Sequence, residues 1–441
     1  MKPDDHHTVK PELILINPWI YDFAAFHLWS RPLGLLKVAE YLSSFACEFK
    51  FIDCTDIVKT EKKFGTGKYP RQPVEKPEIL KDVPHTYSRY GITVEEFVGQ
   101  FKKCLPCDVV FVTSIMTYWY PGAEEVINII RSISPDIPVI LGGIYPTLYY
   151  DHALSHSGAD HVFTGPIDNS IKSALQSFDI ELKQINQPDK YYRFNLYEQA
   201  RFAPLLTSTG CPYTCTYCAS AVLNEGFVQR HPLDVFQEIE DLYQGGVRDF
   251  AFYDDALLAN PDHHIKVLLS EIIKSTMKVR FHCPNGIHAR FIDDELADLM
   301  KRSGFTTIRL GFETVNSRRQ KETGGKVSHD SFRSAVRNLQ KRGFEKVNIG
   351  TYLMYGLPGQ ELAEVREGIA FLKDLGVGIN LTEFSPLPGT ACWDELLERG
   401  IVSNSTDPVL TNNTVYSYLI NGYNPEEINI IKQEVKVYNA L

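Results

Sequence analysis

Three cysteines within eight residues, Cys211, Cys215 and Cys218, carry the strongest chemical signal in the chain. Thiolates are the ligands of iron–sulfur clusters, and three of them at i, i+4 and i+7 on one loop can converge on one cluster. A four-iron cluster held by three cysteines leaves one iron open to a substrate or cosubstrate. Structural zinc is the rival, but it prefers four closed ligands. His231 could be recruited as the fourth, yet no Cys or His lies at finger-like spacing. The remaining cysteines, Cys47, Cys54, Cys104, Cys107, Cys283 and Cys392, are scattered, so the tight group reads as a metal site in a reducing compartment.

The rest of the chain must position that loop. Its 441 residues suggest two or three domains at a prior of about 150 residues each. With 55 acidic against 45 basic residues the net charge is -10, which argues against phosphate-backbone binding, and nucleic acid is not an expected partner. Met1 to Lys10 is polar, and no stretch approaches the roughly 18 apolar residues of a membrane span. A cytoplasmic location and no membrane partner are expected.

From Pro11 onward, short apolar runs alternate with amphipathic stretches, the pattern of βα units around a parallel sheet. The runs are Glu12 to Asn17, Glu48 to Asp53, Val109 to Ser114, Pro138 to Gly142 and His161 to Thr164, with helices over Pro32 to Ser43 and Ala123 to Ser132. This predicts an α/β fold opening with a doubly wound, Rossmann-like domain over residues 1–190. Asp56 to Gly91 breaks the rhythm, with four prolines and little periodicity, and reads as a surface excursion. Ligands bind beyond the carboxyl ends of such strands, which singles out Asn17, Ser114, Gly142, Gly143 and Thr147. Each is also compatible with an ordinary strand-terminating turn.

After the cysteine loop, apolar runs recur at Asp249 to Tyr253, Val279 to His282, Thr307 to Phe312, Lys346 to Met354 and Gly378 to Phe384, with helices between. Counting Ala203 to Ser208, they predict a partial (β/α)6 barrel over residues 191–390 and a short C-terminal extension, 391–441. Barrel chemistry sits at strand C-termini. Those ends carry Tyr253-Asp254-Asp255, Gly311-Phe312-Glu313-Thr314 and Tyr355-Gly356-Leu357-Pro358-Gly359. Taken singly, an acidic residue after a strand is usually a helix cap and Pro-Gly a turn.

The CxxxCxxC spacing, with Tyr217 before the last cysteine, resembles the signature of the radical SAM superfamily. That resemblance implies a [4Fe-4S] cluster on Cys211, Cys215 and Cys218 whose open iron chelates S-adenosylmethionine. Reduction by a flavodoxin- or ferredoxin-type partner would cleave the cosubstrate to a 5'-deoxyadenosyl radical. It further implies cosubstrate contacts from Tyr217, Asp254, Glu313, Gly356 and Pro358. The front half, through Arg31 to Leu35, Gly142-Gly143-x-x-Pro146-Thr147 and Gly158 to Val162, resembles the cobalamin-binding-type domain that precedes one branch of this superfamily. Asn17, Ser114, Gly142, Gly143 and Thr147 are then the candidate cobalamin contacts. No Asp-x-His-x-x-Gly occurs, so a corrinoid is expected without histidine on cobalt. The leading expectation is cobalamin-dependent methyl transfer to an unactivated carbon. The rivals are a cobalamin-independent cyclisation, rearrangement or oxidation, and a non-enzymatic corrinoid- or metal-binding protein.

Overall fold

The computed structural model describes residues 10–61, 64, 66–185, 194–420 and 422–441. The boundary expected at 190/191 lies outside the described residues. Five strands, β1 (Glu12–Asn17), β2 (Glu48–Asp53), β3 (Val109–Ser114), β4 (Val139–Gly143) and β5 (His161–Val162), form one parallel sheet in the order β5-β4-β3-β1-β2. β1 and β3 are continuous apolar runs because both their faces are covered. Leu13 and Leu15 pack towards α1 (Leu33–Leu42) and α4 (Asn169–Gln176). Ile14 and Ile16 pack towards α2 (Val94–Lys103) and α3 (Tyr120–Ile133). The sheet is therefore doubly wound, and its strand order reverses direction between β1 and β3, where such sheets open a crevice.

Six further strands, β6 (Phe202–Leu205), β7 (Asp249–Phe252), β8 (Arg280–His282), β9 (Phe305–Glu313), β10 (Ile349–Tyr355) and β11 (Gly378–Glu383), pair in parallel and in sequence order. Phe250, Phe252, Phe281, Ile308 and Leu310 point outward into a core shared with α5 (Pro232–Gln244), α6 (Ile265–Ser275), α7 (Asp294–Ser303), α8 (His329–Lys341) and α9 (Leu362–Asp374). By the two-residue alternation of a strand, Asp249, Arg280, His282 and Arg309 then line the lumen. The open edge at β11 is covered by α10 (Pro425–Ala440). There the Asn439 amide accepts from the Ile379 N–H at 3.0 Å and donates to its carbonyl at 2.8 Å, supplying an edge strand with the pairing it lacks.

The excursion over Asp56 to Gly91 is more ordered than its sequence suggests. Ser88–Tyr90 pairs with both Ile20–Asp22 and Arg71–Pro73, and Gly67–Lys68 pairs with both Phe26–His27 and Thr60–Glu61. Pro73 sits in the edge strand Arg71–Pro73, a place proline tolerates. Phe64 of the excursion and Trp29, which precedes it, enter the barrel, where the Trp29 ring stacks on His282 at 3.9 Å. Arg31 fastens the two halves. Its buried guanidinium pairs with Asp56 at 2.6 Å and lies over the rings of Tyr197 at 3.9 Å and Phe202 at 4.5 Å. The C-terminal extension is no appendage either. Trp393, Leu396 and Tyr416 share a core with Tyr145 and Tyr149 of the front domain, and Asn412 donates to buried Asp22 at 2.9 Å.

Candidate functional site

The cysteine loop leaves the end of β6 and is closed at its base by Ser208–Thr209 pairing antiparallel with Val228–Gln229. The neck is tight. Gly210 has φ +75°, and a Cβ there would stand 1.9 Å from the Gly226 carbonyl, so only glycine fits. All three thiols are free, and the Cys218 N–H bonds the Cys215 carbonyl at 3.0 Å. Gly324 presses on the loop from the other side, since a Cβ there would lie 3.0 Å from the Cys215 Cα. Burial pushes the thiols up, Cys218 to about 11, so loading with metal must displace their protons. Among the described residues no three His, Cys, Asp or Glu side chains close on a single metal ion. This donor set, three thiols spread along one loop with no fourth ligand, suits a cluster, which distributes its thiolates over several irons, better than a closed zinc site.

Beside the loop, β9 ends in a bulge against β10 and places Glu313 in the left-handed region at φ +65°. A non-glycine residue held there is strained, and such strain collects at functional sites. Glu313 pairs with Lys326 at 3.3 Å, and the Lys326 charge also acts on the thiols of Cys215 and Cys218. Gly311 makes room for the pair, because a Cβ there would meet Glu313 Oε1 at 2.8 Å and Lys326 Nζ at 2.9 Å. Tyr217 is half-buried next to Cys215, and desolvation raises its phenol pKa well above the usual value.

The two carboxylates after β7 face opposite ways. Asp254 is buried, its Oδ1 accepting from the Thr207 N–H at 2.9 Å and from the Thr207 and Ser208 hydroxyls at 2.8 and 2.7 Å. Burial raises it to about 6. Asp255 is exposed and accepts from the Ser220 hydroxyl at 2.5 Å, close enough to Cys211 and Cys218 for its charge to raise both thiols. Reading the sequence missed Asp255, although strand alternation carries Asp254 to the side of Phe250 and Phe252 and Asp255 to the other. It also missed Lys326, whose only mark is the preceding Gly324-Gly325. Gly356 adopts φ +93° in the turn after β10. The carbonyls of Pro358 and Gly359 accept from Arg319 at 2.9 and 3.1 Å, so Pro358 O is already engaged.

A cleft of about 380 Å³ lies between the front sheet and this loop. Gly142, Gly143 and Thr147 line one wall, while Ser208, Gly210 and Asp255 line the opposite one. The cleft runs down past Leu35, Val38, Phe111 and Ile171 along the α1 and α4 face of the sheet. Gly143 is required by packing, since a Cβ there would stand 2.5 Å from the Ser114 carbonyl, whereas one on Gly142 would make only ordinary contact with Phe163. The other two candidates fall elsewhere. Asn17 and Ser114 line a separate, smaller cavity of about 120 Å³ at the β1/β3 reversal, and Thr113 and Tyr253 line both. Asn17 there donates to Asp53 at 2.7 Å and Thr55 at 3.1 Å. No described histidine lines either cavity.

The family model of the Radical SAM superfamily matches residues 205–372, and that of the B12 binding domain matches residues 82–174. The chain carries a B12-binding domain followed by a radical SAM domain. The first sheet extends the B12-binding domain back to Glu12, because β1 and β2 are bonded into it. An uncharacterized methyltransferase of Pyrococcus horikoshii, PH0819, is 22% identical over 70% of this chain and 74% of its own length. The radical S-adenosylmethionine methyltransferase TsrM from Kitasatospora setae, solved with tryptophan and a SAM analogue, superimposes with TM-score 0.67 at 17% identity over 88% of this chain and 76% of that one. The cobalamin-dependent S-adenosylmethionine radical enzyme OxsB gives TM-score 0.57 at 15% identity, over 97% of this chain and 61% of that one. The last two similarities are of fold. A radical SAM enzyme draws electrons from a reductant, and no helix among the described residues is long and apolar enough to cross a membrane.

Proposed function

We propose that this radical SAM enzyme is a cobalamin-dependent methyltransferase acting on an unactivated carbon. The observation that carries the reading is the shared cleft, in which the strand ends of the B12-binding sheet and the neck of the cysteine loop are two walls of one cavity. When bound, the cluster and S-adenosylmethionine supply the 5'-deoxyadenosyl radical and the corrinoid supplies a transferable methyl group; the protein orients them and excludes water.

Cys211, Cys215 and Cys218 hold the cluster, and Tyr217 packs behind it. Glu313 and Asp255 offer carboxylates for the cosubstrate's ammonium, with Lys326 fixing Glu313. Asp254 ties the base of the loop, at Thr207 and Ser208, to the end of β7 rather than touching the cosubstrate. Gly142, Gly143 and Thr147 would offer backbone and one hydroxyl to a corrinoid, and the apolar extension past Leu35 and Val38 would take an apolar part of it. No described histidine lines the cleft to serve as a protein ligand to its metal. Asn17 and Ser114 line the neighbouring cavity, which shares Thr113 with the cleft. The reductant is of flavodoxin or ferredoxin type.

The test is product analysis on anaerobically reconstituted enzyme with reductant and S-adenosylmethionine. Formation of 5'-deoxyadenosine together with S-adenosylhomocysteine is expected. 5'-Deoxyadenosine without any S-adenosylhomocysteine, from enzyme loaded with cobalamin, would reject methyl transfer and leave a radical enzyme of another kind.

A further inference from the structure

The inner wall of the barrel carries charges that cancel, with one exception. Asp249 is taken up by Arg280, whose Nε and Nη2 donate at 2.6 and 2.5 Å, and by His282 at 3.0 Å. Glu313 is taken up by Lys326. Arg309, on β9 between these two pairs, makes no ion pair among the described residues, and its one hydrogen bond is to the carbonyl of its own neighbour Ile308 at 3.1 Å.

Its surroundings are arranged to leave it free. Ile308 and Leu310 lie in the outer core, so Arg309 points into the lumen. Gly350 stands opposite on β10, and a Cβ there would come within 2.8 Å of Arg309 Cδ and Nη1 and 2.5 Å of Asn380 Oδ1. A side chain at 350 would thus fill the space in which a guanidinium and an amide approach each other. The Asn380 amide makes no hydrogen bond among the described residues, whereas the Tyr352 hydroxyl above is used by the Pro284 carbonyl. Burial lowers the Arg309 pKa, but a guanidinium does not lose its proton in a protein. Arg309 is half-buried, and a charge held there without a partner is open to a counter-charge from outside the chain.

We infer that Arg309, together with Asn380, binds an anionic group of the substrate, a carboxylate or a phosphate, inside the barrel. The planar fork of Arg suits either anion bidentately, and the Asn380 amide adds a donor. β9 bulges between Gly311 and Glu313, and the Glu313 carboxylate folds back beside Gly311, two residues from Arg309 on the same strand. The substrate class is a molecule that carries a carboxylate or phosphate, held in the lumen by Arg309, with its reacting carbon towards the cosubstrate. This deepens the radical reading given above and rests on it.

The experiment is thermal unfolding of the reconstituted holoenzyme titrated, at constant ionic strength, with acetate, inorganic phosphate and neutral acetamide. One of the two anions is expected to raise the midpoint saturably while acetamide does not. Acetate alone acting points to a carboxylate, and phosphate alone to a phosphoryl group. R309Q should need roughly tenfold more anion for the same rise, the loss expected for a charged hydrogen bond, with R309K between the two. Without anion R309Q should unfold at or above the wild-type midpoint, because its uncompensated charge is gone. An unresponsive wild type, an R309Q that responds equally, or an R309Q that unfolds earlier would overturn the proposal, the last by making Arg309 structural. None of these results depends on cosubstrate cleavage, so absence of 5'-deoxyadenosine from the wild type would reject the radical reading separately.

Discussion

The two walls of the central cleft are built on opposite principles. On the front-domain side the surface is apolar side chains and glycine backbone, Phe111, Ile140, Gly142 and Gly143, with no charged group. On the barrel side Ser208, Gly210 and Asp255 reach the cleft, and near them thiols, carboxylates and a lysine crowd one loop and two strand ends, with Glu313 strained to reach its place. A large ligand that brings its own chemistry needs a shaped, mostly apolar berth with few polar contacts. A small inorganic cluster and a polar cosubstrate need named donors at fixed spacing. The first wall should therefore fail by being filled, and the second by losing single atoms.

The largest expected effect is on the second wall. Replacing any one of Cys211, Cys215 or Cys218 by Ala should abolish the four-iron cluster and all cosubstrate cleavage, while Cys47→Ala, Cys104→Ala and Cys392→Ala keep it; iron and sulfide analysis with low-temperature EPR decides. Cys392 is the sharpest control, since its N–H bonds the carbonyl of Thr216 inside the loop at 2.9 Å. On the first wall, Gly142→Leu should cost most of the bound corrinoid with iron unchanged, because an added Cβ meets nothing closer than 3.7 Å and the side chain must grow into the cleft. Retention of a full complement of corrinoid would break the contrast.

Lys326 tests the barrel wall with a single charge. K326M should leave the cluster assembled but lower its reduction potential, since removing a nearby cation disfavours an added electron, and K326R should restore most of it. Potentiometric EPR reads the shift. An unchanged potential would reduce Lys326 to a partner of Glu313.

Asp254 and Asp255 divide the same wall into a structural and a functional part. A rise of Asp254 from 3.8 to about 6 on folding corresponds to roughly 3 kcal/mol. The folded state holds that proton more tightly, so this contribution is full below 3.8 and is lost as pH rises through about 6. D254N, whose amide oxygen still accepts from Thr207 and Ser208, should flatten that part of the stability profile in denaturant titrations at several pH values. D255N should weaken cosubstrate binding. The smallest effect belongs to the barrel edge, where Asn439→Ala should cost about 1–2 kcal/mol in the same titrations by uncovering the Ile379 backbone.

The same contrast explains what the sequence made legible. The cysteine loop was readable because its chemistry resides in residue types at short spacing. β1 and β3 were readable to the residue because doubly covered parallel strands are unbroken apolar runs, and the edge strand β2 because Phe49 and Phe51 alternate with Glu48 and Lys50. The cleft was only half readable. Gly142, Gly143 and Thr147 line it, but Asn17 and Ser114 were assigned to it by strand order alone and open onto the neighbouring cavity. An apolar wall assembled from residues over a hundred positions apart leaves no local pattern. The short strands within the excursion were not legible because strands of two or three residues are too short to show a period. The extension's role depends on Trp393 and Tyr416 meeting Tyr145 and Tyr149, a packing that spacing does not encode.

The account stands most directly on whether a corrinoid occupies the apolar wall without a protein ligand. The deciding measurement is the EPR spectrum of the anaerobically purified, cobalamin-reconstituted enzyme with its cobalt in the divalent state. A base-off signal free of nitrogen hyperfine splitting is predicted, as no described histidine lines either cavity. Nitrogen splitting from a coordinated imidazole, or no bound cobalt at all, would contradict it.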